Sequence, residues 1–289
     1  MLRRPAADLL KFMQTIDQVG FGEAELLRNG RTLSDLTSGV PIFWVSMKES
    51  VERHAFMNKS LHGVADSYMV EAVNLSHVSV VTVLNKTGQS VEYSERKDQV
   101  ILACTLSHMK AILTARKMGA DFAVFLEDDV SFDTHPLWKL SLQELAAAAP
   151  KGWKGIQLGF GSPRLEAEKK IWKEPGPVVR FHKFGYTAGA YGYMLSRKGM
   201  DELVEKLKVT VSPDDPTDIT GMTLFERTRA ADHALYFPLL PQMYTSTMMY
   251  VLHQCHQFGS TLHRSHEARH RRDAVAARQH YGLDTSVCG

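Results

Sequence analysis

The sequence predicts an α/β protein built on an open, mostly parallel sheet, and three observations carry that reading. Short apolar runs, "VPIFWVSM" at 40–47 and "DFAVFLEDDV" at 121–130, alternate with segments of helical periodicity. The joins between them are short, and a strand, helix, strand order with short joins demands a right-handed crossover and parallel neighbours. Of 289 residues 44% are hydrophobic, enough to bury both faces of a sheet.

Residues 1–39 carry weak helical patterning broken at Gly20, Gly22 and Gly30, and read as an accessory segment without chemistry. The main body is expected at 40–252, followed by a basic, histidine-rich tail at 253–289. Its first strand is 40–47; Ser50 then offers an N-cap to "VERHAFMNKSL", a helix ending before Gly63. Strand-like "YMVEAVNL" at 68–75 and "VSVVTVL" at 78–84 follow. From Asp98, a possible N-cap, to a stop at Gly119 the spacing predicts a helix with Ile101, Cys104, His108, Ile112 and Ala115 on one inward stripe.

Beyond the next strand, "WKLSLQELAAAA" reads as a helix, "GWKGIQLGFG" contains a short strand, and 162–177 is a loop or lid. "YTAGAYGYML" is rich in small and aromatic residues; Ser196 then caps a helix with Met200, Leu203, Val204 and Leu207 on one face. "LFERTRAADHAL" predicts another helix, and the core pattern fades after "PLLPQMYTSTMMYVL".

Charge excludes little: 34 basic against 32 acidic side chains give a net +2, no case for a polyanionic partner. Cys104, Cys255 and Cys288 include no close pair, which argues against a disulfide framework and for a reducing compartment. No signal-peptide pattern and no run of about 20 apolar residues is seen, so the chain reads as soluble.

The chemistry is expected at Glu127, Asp128 and Asp129, which end an apolar strand. Ligands of parallel α/β sheets bind beyond the carboxyl ends of the strands. Alternation along the strand sends Glu127 and Asp129 to one side and Asp128 to the other, so the pair forms a partial cage for a hard divalent cation. The competing reading is a solvated turn in which Asp128 caps the next element.

Several stretches together resemble glycosyltransferase family 25, which includes lipooligosaccharide and collagen galactosyltransferases. They are "VERHAFMNKSL", "ILACTLSHMKAI", "FLEDDVSF", "GAYGYMLSRKGMDELVEKL", Asp232 in "AADHALYF", and "PLLPQMYTST", in the family's order over roughly 42–247. The resemblance implies a GT-A-like, Rossmann-type nucleotide-sugar-binding fold and an inverting hexosyltransferase using a UDP-sugar, most often UDP-galactose. It implies a glycan, lipooligosaccharide or hydroxylated protein acceptor and a cytoplasmic enzyme, peripheral to a membrane at most. In that frame Glu127 and Asp129 hold Mn²⁺ or Mg²⁺, Asp128 stands near the donor, and Asp232 is the general base. Asp232 reads alternatively as a helix cap or as a partner of Arg227 or Arg229.

Donor-binding candidates are Ser46, Arg53, Ser107, His108, Gly189 and Ala190. His108 is alternatively a satisfied core histidine, Arg53 a surface ion pair, and Gly189 and Ala190 tight packing. His253 and His256 are candidates to close the metal site from the C-terminal side. Two rivals remain. A non-catalytic sugar-nucleotide binder fits the same acids, whereas a receiver-like acidic pocket lacks its phospho-acceptor, since no aspartate lies between Asp133 and Asp201. Arginines of the tail suggest a solvated helix or a weak hold on an anionic membrane rather than specific nucleic-acid binding, because aromatic residues are nearly absent there.

Overall fold

A computed structural model describes residues 30–93, 95–161, 165–185, 187–226, 230–254 and 267–288, with backbone only at 165 and 267–270. Helix α1 (Leu33–Thr37) opens on a capping box between Thr32 and Asp35 and buries Leu36 against the main body. Strand β1 (Ile42–Ser46) is buried at every position, as its unbroken apolar run requires. Helix α2 (Val51–Ser60) follows; Ser50 stands at its N-cap without a side-chain cap bond. The stretch 68–84 is less regular than expected: β2 (Ser67–Glu71), a 3₁₀ segment (Leu75–Val80) and β3 (Val81–Leu84). A short β4 (Ser90–Val91) then leads to the long helix α3 (Arg96–Lys117).

Helix α3 starts at Glu95 rather than Asp98, which instead lies in the first turn, where a carboxylate suits the positive helix end. Its stop is as read. Gly119 adopts φ +78°, and the Gly119 and Ala120 N–H groups close onto the Arg116 and Ala115 carbonyls. The single inward stripe is a correction: α3 is buried on most sides, because the main sheet, a second sheet and helix 231–236 all share its hydrophobic cluster.

Strands β5 (Phe122–Glu127) and β6 (Val130–Ser131), helix α4 (Leu142–Ala148) and strand β7 (Gly155–Gln157) come next. The expected lid contains helix α5 (Leu165–Ile171), whose Ala167 and Ile171 are buried together with Trp172. After β8 (Val178–Arg180), "YTAGAYGYML" yields β9 (Gly192–Ser196) at the centre of the sheet. Helix α6 (Arg197–Lys206) is capped by Ser196, which accepts from the Gly199 N–H, and β10 (Thr210–Val211) follows. "LFERTRAADHAL" is a second correction. Its start belongs to β11 (Ile219–Phe225), and the helix, α7, is confined to Ala231–Tyr236.

The main sheet runs β2-β1-β5-β9-β7-β12-β8, where β12 is Met243–Ser246. Pairing is parallel for β1 with β2 and β5 and for β7 with β12; β8 and β9 run against the other five strands. A second sheet, β10-β11-β3-β4, covers α3, and β13 (Leu252–His253) pairs with β6. The core therefore continues past the point where the pattern seemed to fade. Helix α8 (Glu267–His280) is docked: Ala277 and Arg278 are buried, Arg278 pairs with Asp133, and His280 stacks on Trp172 at 4.3 Å. Cys288 is disulfide-bonded, contrary to the expectation from cysteine spacing, and its partner lies outside the described residues. Among the described residues no helix is long and apolar enough to cross a membrane.

Helix α6 approaches β7 so closely that a Cβ on Gly199 would stand 2.1 Å from the Lys154 carbonyl oxygen. Gly199→Ala, favoured by helix propensity alone, is therefore expected to destabilise the fold by about 1–3 kcal/mol in denaturant unfolding. An unchanged or raised stability would contradict that packing.

Candidate active site

Strands β1 and β5 are parallel neighbours whose carboxyl ends coincide, Val45 opposite Glu127. Phe43, Val45, Ala123 and Phe125 pack on the α3 side, and Ile42, Trp44, Val124 and Leu126 share a cluster with Met57 of α2. With α2 and α3 on opposite faces, the loops at this edge diverge and leave a crevice. A cavity of about 360 Å³ opens there. Val45, Ala72, Val73, Leu75, Val100 and Ala103 form its apolar wall; Ser46, Arg53, Arg96, Ser107, His108 and the three acids supply polar groups.

The acids divide by environment. Asp128 is only 6% exposed, and both its oxygens are used: Ser46 Oγ donates to Oδ2 and Arg53 Nη1 to Oδ1. Arg53 is itself buried and reaches Asp129 Oδ2 at 3.4 Å, so it forms a buried pair where a surface pair was one expectation. Burial alone would lower the Arg53 pKa, but the charges of Asp129 and Asp128 outweigh it and raise the value. Asp128 is neither solvated nor a helix cap.

Asp129 is the unmatched member. Its Oδ1 is buried without a hydrogen-bond partner, and burial first, the Glu127 charge second, push its pKa up to about 7. From the other end of the described chain β13 brings His253, whose Nδ1 lies 3.9 Å from that oxygen, and the Gln254 N–H holds the Asp129 carbonyl at 2.7 Å. Glu127 faces α3, with Oε1 3.7 Å from His108 Nε2. A buried oxygen without a hydrogen-bond donor, with an imidazole nitrogen 3.9 Å away, makes Asp129 a candidate ligand position for a divalent cation, although among the described residues the three side chains whose ligand atoms all lie within 4.8 Å of one another are Cys104, His108 and Glu127. His256 lies outside the described residues.

Ser107 and His108 both line the cavity yet also serve the frame. Ser107 Oγ accepts from the Val73 N–H and donates to the Ala103 carbonyl, tying the cavity wall after β2 to α3. His108 Nδ1 meets the Tyr193 hydroxyl at 3.0 Å. Gly189, Ala190 and Asp232 do not line this cavity. They meet beside it: Gly189, in the loop before β9, takes φ +107°, and its N–H donates at 3.2 Å to Oδ2 of Asp232 in the first turn of α7. Gln157 and Tyr236 hold the Gly189 carbonyl. Asp232 is close enough that its charge helps raise the Cys104 pKa, after burial and Glu127. Arg227 and Arg229 lie outside the described residues. Sequence reading missed Arg96, Gln157 and Tyr193, which carry no local motif.

A family model described as glycosyltransferase family 25 (LPS biosynthesis protein) matches residues 40–217, well over half of the chain. The chain belongs to glycosyltransferase family 25. Membership indicates glycosyltransferase activity, with a sugar donor and a glycan acceptor. A search of curated proteins finds no match. Every cavity-lining residue of this family 25 chain lies inside the matched span, whereas Asp232 and His253 lie beyond it.

Asp129 fixes a pH signature for the metal-free protein. Its folded pKa of about 7 exceeds the ordinary 3.8, so the folded state binds the proton more tightly and stability falls as pH rises between these values. Asp129→Asn removes that loss. Urea unfolding with chelator should find the variant more stable than wild type by a few kcal/mol at about pH 8 and similar near pH 4, on the order set by linkage. A wild type whose stability is flat across the window would contradict the described environment.

Proposed function

We propose that this chain transfers a hexose, galactose or glucose, from a UDP-sugar to a glycan or other hydroxylated acceptor, with inversion and in a metal-dependent manner, on a GT-A-like fold. One observation carries the reading: a cavity at the carboxyl ends of β1 and β5 is floored by Asp129, whose buried Oδ1 has no hydrogen-bond donor. Its apolar wall suits a nucleobase, and Arg96 supplies a cation for a diphosphate.

In this reading Asp129 and Glu127, joined by His253, would hold Mn²⁺ or Mg²⁺. Bound there, the ion supplies Lewis-acid neutralisation of charge on the departing UDP. Asp128 does not ligate; it fixes Ser46 and Arg53, and through Arg53 the position of Asp129. Asp232 takes the proton from the acceptor hydroxyl as it attacks the anomeric carbon. Two backbone N–H groups, of Gly189 and His233, orient its carboxylate, and its charge reaches Cys104 on the cavity wall. Gly189 beside it has a left-handed φ of +107° and lies against the Tyr191 ring, 2.8 Å from where a Cβ would stand, so only glycine lets its N–H reach Asp232 there.

The test is a thermal-shift panel of nucleotide sugars with and without Mn²⁺, followed by turnover. A UDP-hexose at a hundred times its Kd should add about 2.7 kcal/mol of stability, and only with the metal present. Asp129→Ala should lose this shift, whereas Asp232→Asn should keep it and lose turnover by about 10²–10⁴-fold. Retained turnover in either variant sinks the corresponding role, and a metal-independent shift sinks the cation reading.

A further inference from the structure

Cys104 and His108 stand on the cavity wall without a part in that chemistry. They are four residues apart on α3, so their side chains project from one face. Glu127 approaches from the end of β5. One ligand atom of each, the Cys104 sulfur, an imidazole nitrogen and a carboxylate oxygen, lies within 4.8 Å of the other two. Around a tetrahedral zinc ion, bonds of about 2.0–2.3 Å set ligand atoms roughly 3.3–3.8 Å apart. The His108 Nε2 to Glu127 Oε1 separation of 3.7 Å lies within that range, and the 4.8 Å limit on the whole set leaves at most about 1 Å beyond it for the side chains to close on binding an ion.

The imidazole is prepared for such a role. Tyr193, fully buried, engages Nδ1, so Nε2 is the nitrogen turned to Glu127; an outer hydrogen bond of this kind orients metal-binding histidines. Its ring is itself 1% exposed and cannot swing away into solvent. Three protein ligands on a cavity wall leave a fourth position open to the cavity, the arrangement of an accessible zinc site.

We propose that Cys104, His108 and Glu127 form a binding site for a borderline divalent ion, Zn²⁺ above all. Sulfur and imidazole select zinc or cobalt over Mg²⁺ and Mn²⁺, and the thiol proton leaves to solvent on binding. The site is distinct from the Asp129 position in its ligands, yet the two share Glu127. Zinc binding itself does not depend on the transferase reading.

The experiment uses the full chain, stripped with chelator, and Co²⁺ as the spectroscopic stand-in for zinc. One equivalent of Co²⁺ should give a thiolate-to-cobalt charge-transfer band that one equivalent of Zn²⁺ removes and excess Mg²⁺ does not. Cys104 is the free cysteine among the described residues, and Cys104→Ser should abolish the band while Asp129→Asn retains it. No band in the wild type, or an equal band in folded Cys104→Ser, overturns the proposal. Alkylation decides the matter without any variant, because Cys104 is partly exposed. Zn²⁺ should slow iodoacetamide labelling of Cys104, read by peptide mass, by about tenfold or more, since the metal-bound thiolate is no longer free to attack. An unchanged labelling rate overturns the site.

Discussion

A buried carboxylate is tolerated only where its charge is met, and Asp128 is met twice, by Arg53 from α2 and by Ser46 at the end of β1. This contact joins three segments that are separate in sequence: the first strand, the helix after it, and the loop after β5. Arg53 extends it to Asp129. Loss of Arg53 or of Asp128 would leave a charge stranded in a place with little water, so the contact holds the mouth of the cavity to one geometry. The cavity walls inherit that rigidity, because the stretch after β2 is tied to the same frame through Ala72 N–H to the Ser46 carbonyl and Val73 N–H to Ser107.

Three consecutive acids with nearly identical intrinsic chemistry thus end in three environments. Asp128 is neutralised within the fold. Asp129 sits beside like charge with one oxygen unmatched, the situation that raises a carboxylate pKa. Glu127, partly exposed, turns to α3 and its histidine and cysteine. Such separation of neighbouring titratable groups by their surroundings is how one site obtains groups with different tasks.

The C-terminal part of the chain completes the structure from behind. β12 lies inside the main sheet, β13 backs Asp129, and α8 buries Ala277 against Phe160, Trp172 and Met249. Arg271, Arg272 and Arg278 bond to the Cys288 carbonyl, Asp273 and Asp133 respectively, so these three tail arginines are engaged within the protein. A tail that reads as a basic arm is, over its described residues, part of the packed body.

The sequence by itself determined what local periodicity encodes: the strand, helix, strand order, the stop at Gly119, the cap at Ser196, and an acidic end to a buried strand. Those features depend on residues within one turn or one strand of each other, so reading along the chain finds them. Only the tertiary structure decided that β9 runs antiparallel at the sheet centre, that α3 is enveloped, and that Asp128 is spent on a clamp while Asp129 is left unmatched. It also brought His253 to Asp129 and set Asp232, in the first turn of α7, outside the lining of the cavity. The reason is physical: burial and charge pairing act between segments distant in sequence, and which partner meets a buried charge is settled by packing that no local spacing records.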